Sequence, residues 1–105
     1  MSLDAIKETM PNPVQMEDLS NLFKVLGDQT RCKILYTLTD NELNVTDICL
    51  CVSMNKSAVS HQLRILRDAK LVKARKDGKE VYYSFDDDHI TTIFKYALEH
   101  ISEEK

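Results

Sequence analysis

After Leu71 the hydrophobic period of this chain changes from helical to alternating, and that change constrains its possible folds more than any other feature. Residues 71–76 (Leu-Val-Lys-Ala-Arg-Lys) and 80–85 (Glu-Val-Tyr-Tyr-Ser-Phe) alternate as strands do. Asp77-Gly78 lies between them, and both residue types tolerate positive φ, so the two segments are expected to close as a β-hairpin. The rest reads as helix. Ser2 to Met10 is expected as a short helix broken by Pro11-Asn12-Pro13. Leu19, Leu22, Phe23 and Leu26 have helical spacing within a segment from about Val14 to Leu26, with Gly27 as its stop. Asp28 can cap a helix carrying Ile34, Leu35 and Leu38. A short helix from Val45 to Val52 follows, then a longer one capped by Asn55 and running to about Ala69. A last helix spans about Asp87 to Glu103.

The order is helix, helix, helix-turn-helix, β-hairpin, helix, which is the layout of a winged helix: mainly α, with a β-hairpin wing. At 105 residues there is room for one domain, expected over 14–105 behind an N-terminal arm at 1–13. No apolar run approaches the ~20 residues of a membrane span, and the start does not read as a signal peptide. The three cysteines, Cys32, Cys49 and Cys51, are an odd number, so reduced thiols in a cytoplasmic protein are expected.

Charge is segregated. Eight of the fourteen basic residues lie between Lys56 and Lys79, offset there only by Asp68 and Asp77. From Asp86 onward the sign reverses, with Asp86, Asp87, Asp88, Glu99, Glu103 and Glu104 against Lys95 and Lys105. A basic middle and an acidic tail suit an anionic partner and a cationic one. At about 100° per residue, Val59, Leu63 and Leu66 share one face of the 55–69 helix. Lys56, Ser57, Ser60, His61 and Arg64 gather on the opposite side, and Gln62 is counted with them as a DNA-contacting candidate. Short hydroxyls and an imidazole near a helix N-terminus permit close approach to a groove and hydrogen bonds to base edges. Arg64 and Arg67 are better placed for phosphates. Arg75, Lys76 and Lys79 at the hairpin tip are expected to reach adjacent backbone or minor groove.

The last helix carries Asp87-x-His89 and His100-x-x-Glu103, a nitrogen and oxygen set suited to tetrahedral Zn(II), with Co(II) or a similar divalent ion as alternatives. His89 and His100 point within about 20° of each other but lie roughly 16 Å apart along the axis, too far to share one ion. Two copies of the helix packed antiparallel about a two-fold axis resolve this. Asp87 and His89 of one chain then meet His100 and Glu103 of the other, and symmetry makes a second site. Ile90, Ile93, Phe94, Ala97, Leu98 and Ile101 form an apolar stripe for that homodimer contact.

The sequence resembles the ArsR/SmtB family of metal-sensing repressors. The likeness rests on Leu26-Gly27-Asp28-x-Thr30-Arg31-x-x-Ile34-Leu35, on Val59-Ser60-His61-Gln62-Leu63-Arg64-x-Leu66, on Gly78-Lys79-x-Val81-x-Tyr83 and on the Asp-x-His…His-x-x-Glu set. It implies a homodimeric winged helix whose first and last helices form the interface. It also implies an apo dimer that binds an imperfect inverted repeat of operator DNA and represses metal-export or sequestration genes. Lys56, Ser57, Ser60 and His61 match its DNA-reading positions. Asp87, His89, His100 and Glu103 match its C-terminal-helix zinc site, and His100 is the expected relay to DNA. The thiol site of arsenic, cadmium and lead sensors is expected to be absent, because Asn44-Val45-Thr46-Asp47 replaces its Cys-Val-Cys-Asp stretch. A repressor sensing thiophilic metal, oxidant or reactive sulfur through Cys49 and Cys51 is the alternative, although residues two apart on a helix point about 160° from each other. Enzymatic activity is not expected: four protein ligands fill the zinc sphere and leave no open position.

Overall fold

A computed structural model describes residues 2–103; Met1, Glu104 and Lys105, at the ends of the expected arm and domain, lie outside the described residues. The elements are α1 (Leu3–Glu8), α2 (Pro13–Leu26), α3 (Gln29–Thr37), β1 (Leu43–Asn44), α4 (Val45–Val52), α5 (Lys56–Asp68), β2 (Val72–Asp77), β3 (Glu80–Phe85) and α6 (Asp88–Glu103).

Helix starts are set by capping side chains that accept an otherwise orphaned backbone N–H, an effect of about 1 kcal/mol each. Asp28 accepts from Arg31 N at 3.0 Å, Asn44 from Asp47 N at 2.8 Å, Asn55 from Ala58 N at 2.8 Å and Asp87 from Ile90 N at 3.1 Å. Asn12 and Gln15 form a reciprocal capping box, and α2 therefore begins at Pro13, one residue before the expected start. Proline fits that first position because its missing N–H would have had no helical partner. Gly27 does end α2, but at φ −79, without a left-handed cap. Its role is steric, since a Cβ there would stand 3.1 Å from the Phe23 carbonyl oxygen.

The hairpin differs from expectation in two ways. Asp77 is the last residue of β2 and pairs with Glu80, so the loop is Gly78-Lys79, with Gly78 at φ +62. That is the glycine-first form of a two-residue hairpin turn. A third strand, β1, joins the far edge of β3, Leu43 opposite Tyr83 and Asn44 opposite Tyr82, giving the sheet order β1-β3-β2.

The core is built from Ile34, Leu35 and Leu38 of the α3 region, Ile48 of α4, Val59, Leu63 and Leu66 of α5, and Leu71, Val72 and Phe85 at the base of the wing. The helical face assigned to α5 is thus the buried one. By contrast α1, α2 and α6 contain no fully buried residue. Phe23 remains 61% and Ile101 60% exposed, and Leu19, Ile93 and Leu98 are each more than two-fifths exposed. The radius of gyration, 16.3 Å, exceeds the ~13 Å of a compact chain of this length. Two long helices thus carry apolar surface away from the core.

Candidate nucleic-acid interface and metal centre

Helix α5 packs its Val59–Leu63–Leu66 side on α3 and α4 and turns Lys56, Ser57, Ser60, His61 and Arg64 to solvent. The tight turn before it is held by Ser53 in the left-handed region, at φ 56, and by Met54 N donating to Cys49 O at 3.2 Å. Gln62 occupies a different position from these five. It is half-buried, and its Oε1 accepts from Arg31 Nε at 3.0 Å, bracing α5 against α3. Its carbonyl oxygen is therefore engaged internally, and only its amide NH2 is in question for a base contact. On the opposite flank Arg64 and Arg67 line a cleft of about 330 Å³ with Ser60, Asp68 and Tyr83, where α5 meets the wing. Two guanidiniums on one side of a cleft that size suit a phosphate oxygen.

On the wing, Lys76 and Lys79 are exposed. Arg75 is also exposed but is not free to reach out. Its Nη2 lies 2.7 Å from Glu42 Oε1, its Nε donates to both Glu42 oxygens, and Asp77 stands 3.7 Å from its Nη1. The guanidinium also lies 5.0 Å from the centre of the Tyr82 ring. Hydrogen bonding to Arg75 holds the Glu42 carboxyl below the usual carboxylate range. Arg75 thus pins the wing across the middle strand to the residue before β1, a role that no local sequence signal revealed.

At the start of α6 the two expected ligands are neighbours. Asp87 caps the helix through Oδ1, and His89 Nδ1 lies 3.7 Å from that same oxygen, with the imidazole almost fully exposed. His100 and Glu103 occupy the other end of the helix and are exposed. Among the described residues no three His, Cys, Asp or Glu side chains converge on a point that could hold an ion. That agrees with the axial separation of the two histidines: the donor set has the right chemistry for zinc, but one chain brings together only its first half. Between the two pairs runs the apolar side of α6, where Ile93, Phe94, Ala97, Leu98 and Ile101 border a groove of about 330 Å³ with Leu26 and Cys32.

The cysteines are separate from one another in character. Cys49 is half-buried against the core, whereas Cys51 is exposed beside Lys33 and Tyr36, so the pair faces opposite ways as helical spacing requires. The Cys32 thiol donates to Leu26 O at 3.0 Å, and burial followed by the nearby Asp28 charge raises its pKa. No helix among the described residues is long and apolar enough to cross a membrane.

A recognition helix turned to solvent, a basic wing and an intervening cleft define a winged helix-turn-helix DNA-binding protein. Residues 28–74 match the model of the bacterial regulatory protein arsR family. The chain is 35% identical over 104 residues to a transcriptional repressor SmtB homolog of Synechocystis sp., covering 96% of this chain and 79% of that one. It is 40% identical over 84 residues to a cadmium resistance transcriptional regulatory protein CadC homolog of Staphylococcus aureus, covering 79% and 69%. In structure it is similar to a homodimeric winged helix-turn-helix domain of Mycobacterium bovis, with TM-score 0.81, 24% identity and coverage of 90% and 92%. The chain belongs to the ArsR family. It is a DNA-binding transcriptional regulator and not an enzyme.

Proposed function

We propose that this protein is a homodimeric, cytoplasmic, metal-responsive repressor. The apo dimer binds an imperfect inverted repeat through Lys56, Ser57, Ser60, His61 and Arg64, helped by Gln62 and by Arg75, Lys76 and Lys79 of the wing. A divalent ion, Zn(II) by the chemistry of its donors, causes release. Asp87 and His89 of one protomer hold it together with His100 and Glu103 of the partner. The observation that carries this reading is that α6 has a ligand pair at each end, an apolar face between them, and no buried residue. Leaving Phe23, Leu98 and Ile101 in water forfeits about 25 cal/mol per Å² of apolar surface, so a second copy is the natural cover. Antiparallel packing of two α6 helices covers the stripe and joins the ligand pairs in one operation. The bound ion supplies charge neutralisation and a fixed tetrahedral link between protomers. That link selects a spacing of the two α5 helices unsuited to successive major grooves. Linkage requires that DNA weaken metal binding by the same factor.

Fluorescence anisotropy of the apo protein on a duplex from its upstream region tests this. The signal rises with protein, falls on adding zinc and recovers with chelator. Binding that ignores zinc would remove the metal from the account and favour the exposed Cys51 as sensor.

A further inference from the structure

The segment between α3 and β1 is gripped from two sides. Lys95 of α6 donates to Asp40, with Nζ 2.9 Å from Oδ1 and 2.8 Å from Oδ2. Two residues on, Glu42 takes the bidentate contact from Arg75 of the wing. The segment itself is rigidly attached to the core. Asn41 N donates to Leu38 O at 3.2 Å and Asn41 Nδ2 to Thr37 O at 3.0 Å, both at the end of α3. Asp40 is held in the left-handed region at φ 60, a conformation that asparagine and aspartate tolerate better than other non-glycine residues. A cleft of about 390 Å³ brings the same parts together, bordered by Asp40 and Glu42, by Lys73 and Ser84 of the wing, and by Asp88 and Thr91 of α6. On the core side the wing also meets α6 through Phe85 and Phe94, whose ring centres are 6.0 Å apart.

We infer that the Asp40–Glu42 segment is a coupling element that passes the position of α6 to the DNA-contacting wing. Lys95–Asp40 holds one end and Glu42–Arg75 the other. This rests on the proposed placement of metal on α6 and DNA on the wing. A shift of α6 along its axis moves Lys95, and with it the support on which Arg75 fixes β2. All four residues are positioning residues: none of them is among the metal-ligand candidates, and Asp40 and Lys95 are away from the DNA-contacting set. Exposed ion pairs are worth at most about 1 kcal/mol, so a pair that carries coupling carries at most about fivefold.

The test uses the full chain as Asp40→Asn, Lys95→Gln and the exchanged pair Asp40→Lys with Lys95→Asp. Zinc affinity and apo DNA affinity are measured for each, and then the factor by which zinc weakens DNA binding. The expected result is that both affinities stay within about twofold of wild type. The zinc-induced factor falls about three- to fivefold in each single variant and recovers in the exchanged pair. A purely structural ion pair changes melting temperature but leaves that factor unaltered, and that outcome overturns the inference. A metal-free arm separates this from the metal reading. Hydrogen exchange of α6 in the apo protein, with and without duplex, should show slowing on DNA binding in wild type and less in Lys95→Gln. If wild type ignores zinc yet shows this contrast, the metal reading fails and the coupling stands. If wild type responds to zinc but the contrast is absent and both single variants keep the full factor, the coupling segment is refuted.

Discussion

Asp87 has two separable jobs, and substitutions can take them apart. Its Oδ1 caps α6 by accepting from Ile90 N at 3.1 Å, and its carboxylate lies beside His89 as half of the proposed ligand set. Asp87→Ser keeps a capping oxygen and removes the carboxylate; Asp87→Ala removes both. Loss of an N-cap costs about 1 kcal/mol. For a chain of 105 residues the unfolding entropy at the midpoint is about 0.22 kcal/mol/K, so Asp87→Ala should lower Tm by about 4–5 °C. Asp87→Ser should stay within about 2 °C, a few tenths of a kcal/mol. Calorimetric melting of the metal-free protein at one fixed concentration reads this, since the midpoint of a dimer shifts with concentration. Zinc titration of the same samples should give a different order. Both variants lose a ligand, and each should bind at least about tenfold more weakly, the lower end of what even an outer-shell partner contributes. Wild-type zinc affinity in Asp87→Ser would remove Asp87 from the site. An unchanged Tm in Asp87→Ala would show that the cap seen here does not hold α6.

Other consequences follow from the same geometry. Arg64→Ala should weaken binding almost equally on specific and random duplexes and flatten the slope of log affinity against log salt by about 0.9, measured by anisotropy between low and moderate salt. Leu63 is completely buried at the centre of the core, so Leu63→Ala should cost about 2–5 kcal/mol in urea unfolding, with loss of the cooperative transition as the extreme case. Thiol alkylation followed by mass spectrometry should label exposed Cys51 first and Cys32 last. Because the Cys32 pKa is raised, its thiolate and its labelling rate should increase only at more alkaline pH than for an unperturbed thiol. Glu42 has a lowered pKa in the folded state, so its pairing stabilises the protein above the unfolded-state value and is lost as pH falls through the folded one. Glu42→Gln should therefore narrow the difference in urea midpoint between neutral and acid solution.

Local physical chemistry made much of this fold legible. Asn55 followed by an apolar 59–63–66 pattern specifies both the start and the buried side of α5, and Val45–Val52 emerged with the observed bounds. What was missed has a common cause. Strand β1 is two residues long, too short for any period to register, and it exists only because β3 offers it an edge. Glu42 and Arg75 are 33 residues apart, Arg31 and Gln62 31 apart, and Asp40 and Lys95 55 apart. Each pair joins exposed or half-buried polar side chains whose individual identities say nothing of a partner. Arg75 thus reads as a phosphate ligand in sequence, while in the fold Glu42 already occupies its fork. The four α6 ligands were legible for the opposite reason: helical spacing alone says that one chain cannot unite them, and the fold of a single chain indeed leaves them apart.

The most direct test of the shared metal site is a mixing experiment with two inactive partners. One chain carries Asp87→Ala with His89→Ala; the other carries His100→Ala with Glu103→Ala. Each alone forms dimers in which both sites are half-destroyed. In the mixed dimer one site loses all four ligands and the other keeps all four, so equilibrium dialysis should restore tight binding of one zinc per mixed dimer. No zinc bound after confirmed exchange of subunits, or tight binding by either variant alone, would contradict a site built from Asp87 and His89 of one protomer and His100 and Glu103 of the other.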